Sequence, residues 1–134
     1  MHEAVTALML NHAPLVALVG DRVHWQVLPD GGAVFPYVIL QDVGGGQGYY
    51  SKGPDGLHRT RLQVDSYADN PLGVLTLQRL IESLLLGYRG TIAETEIQGV
   101  FPDGVRDLSP PKGKDDQRLF RRSHDFIIFW RKDQ

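Results

Sequence analysis

The stretch of this 134-residue chain with the most promise of chemistry is DVGGGQGYYSKGPDGLHR, from Asp42 to Arg59. Gly44, Gly45, Gly46 and Gly48 could bring backbone amides close to a phosphate, as phosphate-binding loops do. Such a loop needs a lysine and a Ser/Thr directly after its last glycine, opening a helix. Here Tyr49 and Tyr50 follow Gly48, and the next segment alternates like a strand from Arg59. The dinucleotide fingerprint fails as well, in spacing and in the missing helix. Two readings stay open: a long flexible hairpin link, or a contact arm in which Gly46, Gly48, Tyr49, Tyr50, Ser51 and Lys52 order against a partner.

Other reactive side chains offer less. His2, His12, His24, His58 and His124 show no HExxH or similar ligand spacing, and no cysteine is present to complete a metal site. No metal, cofactor or catalytic residue is therefore expected. No serine lies in a G-x-S-x-G elbow. Glu94 and Glu96, two apart on an expected strand, would share one face; a solvated strand face explains them without a pocket.

The arginines carry more. In RTRLQVDSYA, Arg59, Arg61, Gln63 and Asp65 share one strand face, with Leu62 and Val64 on the other. In the last apolar segment, Arg121, Ser123 and Asp125 share a face. Both runs go from arginine to aspartate. If the two strands are antiparallel neighbours, Arg61 meets Asp125 and Asp65 meets Arg121, each pair contributing roughly 0.2–1 kcal/mol. A nucleic-acid surface would want those arginines unpaired and interleaved with exposed aromatics.

Elements to position these residues can be read along the chain. Val5, Leu8, Met9, Leu15 and Leu18 imply a helix over about residues 2–12, a break at Pro14 and a short second turn ending at Gly20. Strands are expected over 21–28, where Val23, Trp25 and Val27 alternate, over 37–43, and over 59–68. Asn70 and Pro71 open the best helix, with Val74, Leu77, Ile81, Leu84 and Leu85 as its stripe and Gly87 or Gly90 at its end. Two more strands follow over 94–101 and 118–131, separated by the polar loop PDGVRDLSPPKGKDDQ.

The expected fold is one α+β domain over residues 1–134. It has an antiparallel-rich sheet of about five strands with two main helices on one face, in the order α-β-β-β-α-β-β. YVIL and FIIFW are apolar on both faces, yet helices cover only one, so oligomerisation is expected to cover the other.

Composition limits the function classes. The chain is 42% hydrophobic and 22% charged with a formal charge of −2, so it has no basic footprint for nucleic acid. The absence of cysteine excludes a disulfide framework and thiol catalysis. No apolar run approaches the ~18 residues of a spanning helix, and the N-terminal stretch lacks the basic region of a signal peptide, so no membrane partner is expected.

The order of APLVALVGDRVHWQVLP (13–29), FPYVILQDV (35–43) and RLQVDSYADNPLGVLTLQRLIESLL (61–85) resembles the tail-completion proteins of long-tailed bacteriophages, also called tail terminators or head-to-tail joining proteins. The resemblance covers roughly residues 13–88; the C-terminal third matches in general character only. It implies a non-enzymatic virion protein, assembled in the bacterial host cytoplasm, from a phage, prophage or gene-transfer agent. It implies a homohexameric ring that caps the tail tube, contacts the head-side connector, and lets DNA through its lumen unread. The loop from Gly44 to Leu57 would then meet ring neighbours, tube or connector, beside a less specific interface of Arg59, Arg61, Asp65, Arg121 and Asp125. The alternatives are a nucleic-acid-binding module using Arg59, Arg61, Arg121 and Arg122, and a small-molecule enzyme with a pocket at Glu94, Glu96 or a histidine.

Overall fold

The computed structural model describes residues 1–27, 34–43, 51–52, 58–107 and 120–132. Its helices are α1 (His2–Leu10), α2 (Ala13–Val19) and α3 (Pro71–Leu85), and its strands are β1 (Val23–Trp25), β2 (Tyr37–Asp42), β3 (Ser51–Lys52), β4 (His58–Ala68), β5 (Gly90–Ile92), β6 (Thr95–Asp107) and β7 (Phe120–Lys132). The sheet runs β1-β2-β4-β7-β6-β5, and β3 joins it on β4.

Helix boundaries follow their local chemistry. Pro14 lies in the first turn of α2, where its missing N–H costs nothing, so it starts a helix after the break at Asn11 and His12. At α3, the Asn70 side chain accepts from the Gly73 amide at 2.6 Å and Pro71 presets the first turn. Gly87, two residues past the last helical turn, takes a positive φ of 76°.

All three helices pack on one face of the sheet. A single cluster joins Val5, Met9, Leu15 and Val19 of α1 and α2, Leu77 and Ile81 of α3, and Leu40, Leu62, Val64, Phe126 and Ile128 of the strands. The strand residues are those of even number on β2, β4 and β7, as a period of two requires.

Several expectations need correction. Among the described residues there are three helices and seven strands rather than two and about five. The first two strands pair in parallel, the exception among the described strand pairs, which are otherwise antiparallel as expected. β1 stops at Trp25 because Gln26 turns out of the ladder with φ 70°. β5 was not anticipated; it joins β6 through Ala93 and Glu94, both at positive φ (51° and 64°) without the Asn-Gly that usually marks such a turn. Glu94 therefore lies in a turn, not on a shared strand face with Glu96.

The largest difference is at β6. PDGVRD, expected as loop, continues the strand to Asp107. Pro102 and Gly104 are accommodated at a register shift between Pro102 and Val105, and no described strand pairs the outer edge of β6 beyond Ile97. Proline is tolerated in strands at bulges and free edges, and both conditions hold here.

The glycine-rich segment is also recast. Val43 donates its amide to Arg61 O at 2.9 Å, and Ser51 pairs with Arg59 on the same edge of β4. A continuous strand would need one residue between Val43 and Ser51, opposite Thr60. In sequence seven residues, 44–50, separate the two, and they lie outside the described residues. The expected single hairpin link from 42 to 59 is thus interrupted by β3, whose Lys52 pairs with His58.

Candidate interaction face

The sheet face turned away from the helices carries most of the side chains singled out from sequence. β4 and β7 are antiparallel neighbours, with Gln63 opposite Asp125 and Asp65 opposite Ser123. The expected pairs form, but diagonally, two positions off direct opposition. Arg61 donates to Asp125 Oδ2 at 2.9 Å and Arg121 donates to Asp65 Oδ2 at 2.9 Å. Diagonal cross-strand neighbours lie some 7–8 Å apart at Cα, which a long arginine spans.

Side chains from β6 and β4 complete the network. Arg61 also reaches Asp103 at 3.1 Å, Arg106 approaches Asp125 Oδ1 at 3.5 Å, and Gln63 Nε2 donates to both Asp65 oxygens at 3.1 Å. Asp103 and Arg106 went unnoticed in the sequence because Pro102 and Gly104 made that stretch read as loop. The signal that would have placed them is the strand spacing of Phe101 and Asp103 on one face, with the bulge between Pro102 and Val105 returning Arg106 to that face.

Burial on this face is deep, though no helix among the described residues packs on it. Asp65 and Ser123 are fully buried and Asp125 is 5% exposed, while Arg61 and Arg121 lie partly in solvent. The guanidinium groups thus close over the carboxylates, which keeps each buried charge paired. Aromatic rings continue the layer. Tyr37 stacks on Tyr67 with centroids 4.6 Å apart, Arg121 sits 5.6 Å above the Tyr67 ring, and Phe101 meets Phe129 edge-on at 5.7 Å. Burial raises the pKa of both tyrosines, partly offset by the Arg121 charge. Tyr37, Ile39 and Ile127 are each under 9% exposed. Most of the second apolar face of YVIL and FIIFW is therefore buried within the chain itself, with Phe129 half-buried.

The remaining candidates disperse. Gly46, Gly48, Tyr49 and Tyr50 lie outside the described residues, and Ser51 and Lys52 are placed as the backbone of β3. Arg59 is exposed opposite Ser51 and Phe129, and Arg122 donates to Gln78 on the helix side. Arg131 donates to Glu96 at 2.6 Å, a bond that holds the Glu96 carboxyl below its usual range. Glu94 borders a cleft of about 430 Å³ with Met1, Glu3, Ala93, Thr95 and Trp130.

His124 has a protonation equilibrium displaced by its surroundings. It is 3% exposed beneath α3, stacked on Phe126 at 4.1 Å, with Nδ1 3.6 Å from Glu82. Desolvation lowers its pKa, opposed by the charges of Glu82 and Asp125. Among the described residues no group of three or more metal-ligating side chains converges, and no helix is long and apolar enough to cross a membrane.

A family model described as "Tail completion protein gp17" matches residues 3–130. Among solved structures, a chain of the virion of a native gene transfer agent particle superposes with a TM-score of 0.65 at 18% identity, covering 95% of this chain and 91% of the other. No curated protein matches.

Proposed function

The chain belongs to the tail completion protein gp17 family, and from that membership we propose that it forms a ring closing the head-proximal end of a phage or phage-like tail. Membership supports a structural role in a virion rather than an enzymatic one. The single observation carrying the proposal is the match over residues 3–130, which spans every helix and nearly all of the sheet. The ring, of six copies, ends polymerisation of the tail tube on one side and receives the head-side connector on the other. DNA crosses its lumen without sequence readout.

The charge arrangement fits this passive role. Arg61 and Arg121 are engaged by Asp125, Asp103 and Asp65 on their own face, so they offer little to phosphates. A nucleic-acid module built on Arg59, Arg61, Arg121 and Arg122 would be left with Arg59 as its exposed cation. Residues 44–50, with Tyr49 and Tyr50, are assigned to contacts with a ring neighbour, the tube or the connector, since the β4 edge needs one residue at that point.

The decisive experiment adds the purified chain to polymerising tail-tube protein. Tubes blocked at one end by a bound ring, seen by electron microscopy, are the expected result. A chain that stays monomeric and leaves tube elongation unchanged overturns the proposal. Replacing residues 44–50 with one glycine then separates fold from contact: urea stability should hold while tube capping is lost.

A further inference from the structure

One buried titratable side chain takes no part in the interaction face. His124 lies on the helix side of β7, between Arg122 and Phe126 on that face and opposite Val64 of β4 and Val105 of β6. It is 3% exposed, and its ring stacks on Phe126 at 4.1 Å. Among the described residues neither ring nitrogen has a hydrogen-bond partner. The approach of Nδ1 to Glu82 Oε1, 3.6 Å, is too long for a hydrogen bond. An imidazole buried in this way costs stability that a phenyl ring of like size would not.

The polar groups around the ring are already committed. Gln78 Nε2 donates to Glu82 Oε1 at 2.6 Å and Arg122 Nε donates to Gln78 Oε1, so three side chains tie α3 to β7 beside the histidine. The charges around it are Glu82 from α3, Arg122 on its own strand face and Asp125 on the other. β4 and β6 bring Val64 and Val105 opposite it, with Asp107 two positions along, opposite Arg122.

A proton changes what this site must satisfy. The imidazolium carries two N–H donors and a charge. Glu82 lies on the Nδ1 side, but its nearer oxygen is already taken by Gln78, and Nε2 has no acceptor. Desolvation accordingly outweighs the pull of Glu82 and Asp125 and disfavours the cation. Water would relieve it, and the Glu82 side chain, 30% exposed, marks a short path for water beneath the helix.

We propose that His124 is a proton-operated latch for α3. Neutral, it lets the helix seat on β7; protonated, it releases residues 78–85 from the sheet while β2, β4 and β7 stay paired. The open form takes up the proton more readily, so opening grows as pH falls below the ordinary histidine value of 6.5. This device is independent of the ring reading.

Native-state hydrogen exchange on the full chain, at pH 7 and pH 5 and across low urea concentrations, tests it once intrinsic exchange rates are divided out. Amides of residues 78–85 are expected to exchange through an opening nearly insensitive to urea and several-fold more populated at pH 5. Amides of β4 should exchange with global unfolding. His124→Phe is expected to abolish the pH dependence at residues 78–85. Glu82→Gln removes a charge that favours the imidazolium and should enlarge it, which a histidine that only fills space would not do. Should His124→Phe fail to fold, the Glu82→Gln comparison decides. The latch is overturned by an opening that is equal at both pH values, or by α3 amides that exchange only with the whole chain. A pH dependence that survives in His124→Phe, or fails to grow in Glu82→Gln, overturns it as well.

Discussion

The two faces of the sheet are buried by different means. On the helix side, Leu62, Val64, Phe126 and Ile128 are sealed by three helices, and their burial depends on volume. On the far side, Asp65, Ser123 and Asp125 are buried almost as deeply with no helix among the described residues over them, beside Arg61, Arg121 and Arg106. The first face tolerates little loss of volume. The second tolerates little loss of pairing, because a carboxylate left in that layer would have no counter-charge. An α+β sheet can thus close its open face with its own long side chains, keeping both faces ordered in a single subunit.

The sharpest way to break this comparison is to injure each face in its own terms. Phe126→Ala on the covered face should cost about 3–5 kcal/mol in urea denaturation, the range for emptying a buried aromatic site. Arg121→Met on the open face keeps the stem but strands Asp65. Gln63 still donates to that carboxylate and Arg121 is 31% exposed, so the cost should fall to about 2 kcal/mol. If Arg121→Met costs under about 0.5 kcal/mol, the open face behaves like any surface ion pair and the distinction collapses.

How much of this was legible before the structure depended on whether a signal was local. The Asn70–Pro71 start of α3 and the alternation of Leu62 and Val64 with Arg61, Gln63 and Asp65 are chemical patterns within one element, and both are found as expected. The two arginine–aspartate pairs were also legible, since two strands with matching polarity could be docked on paper. Their register was not, because it is set by the whole length of β4 and β7. The turn at Ala93 and Glu94 carries no sequence mark, as neither residue favours positive φ. Pro102 and Gly104 pointed to loop because strand rules assume a ladder on both sides, and an edge with a bulge is exempt. The ring reading came from family resemblance, and no residue pattern by itself implied it.

Acid tests the boundary between the faces. His124 sits under α3 with its pKa lowered by desolvation, so the unfolded chain binds a proton more readily than the folded one. Stability then falls as pH drops below the unfolded value near 6.5, and the loss levels off once the folded group also titrates. Each unit of lowering corresponds to about 1.4 kcal/mol. His124→Phe should flatten the stability profile between about pH 7 and pH 5 relative to wild type, measured by urea midpoints across that range. An unchanged profile would mean that His124 does not set the acid sensitivity over that range.

The smallest effect expected comes from an arginine that bridges two carboxylates. Arg61 binds both Asp103 and Asp125 on the open face. Its removal nonetheless leaves Arg106 within 3.5 Å of Asp125, and Asp103 is 40% exposed and can be rehydrated. Arg61→Met should therefore cost about 1 kcal/mol, less than Arg121→Met although it breaks two ion pairs. The double variant Arg61→Met/Arg106→Met, which strips Asp125 of both cations, should cost more than the sum of its single changes, because only then is the buried carboxylate left alone. Additive costs in that cycle would mean that Asp125 does not share its charge between the two arginines, and that the open face is a set of separate pairs.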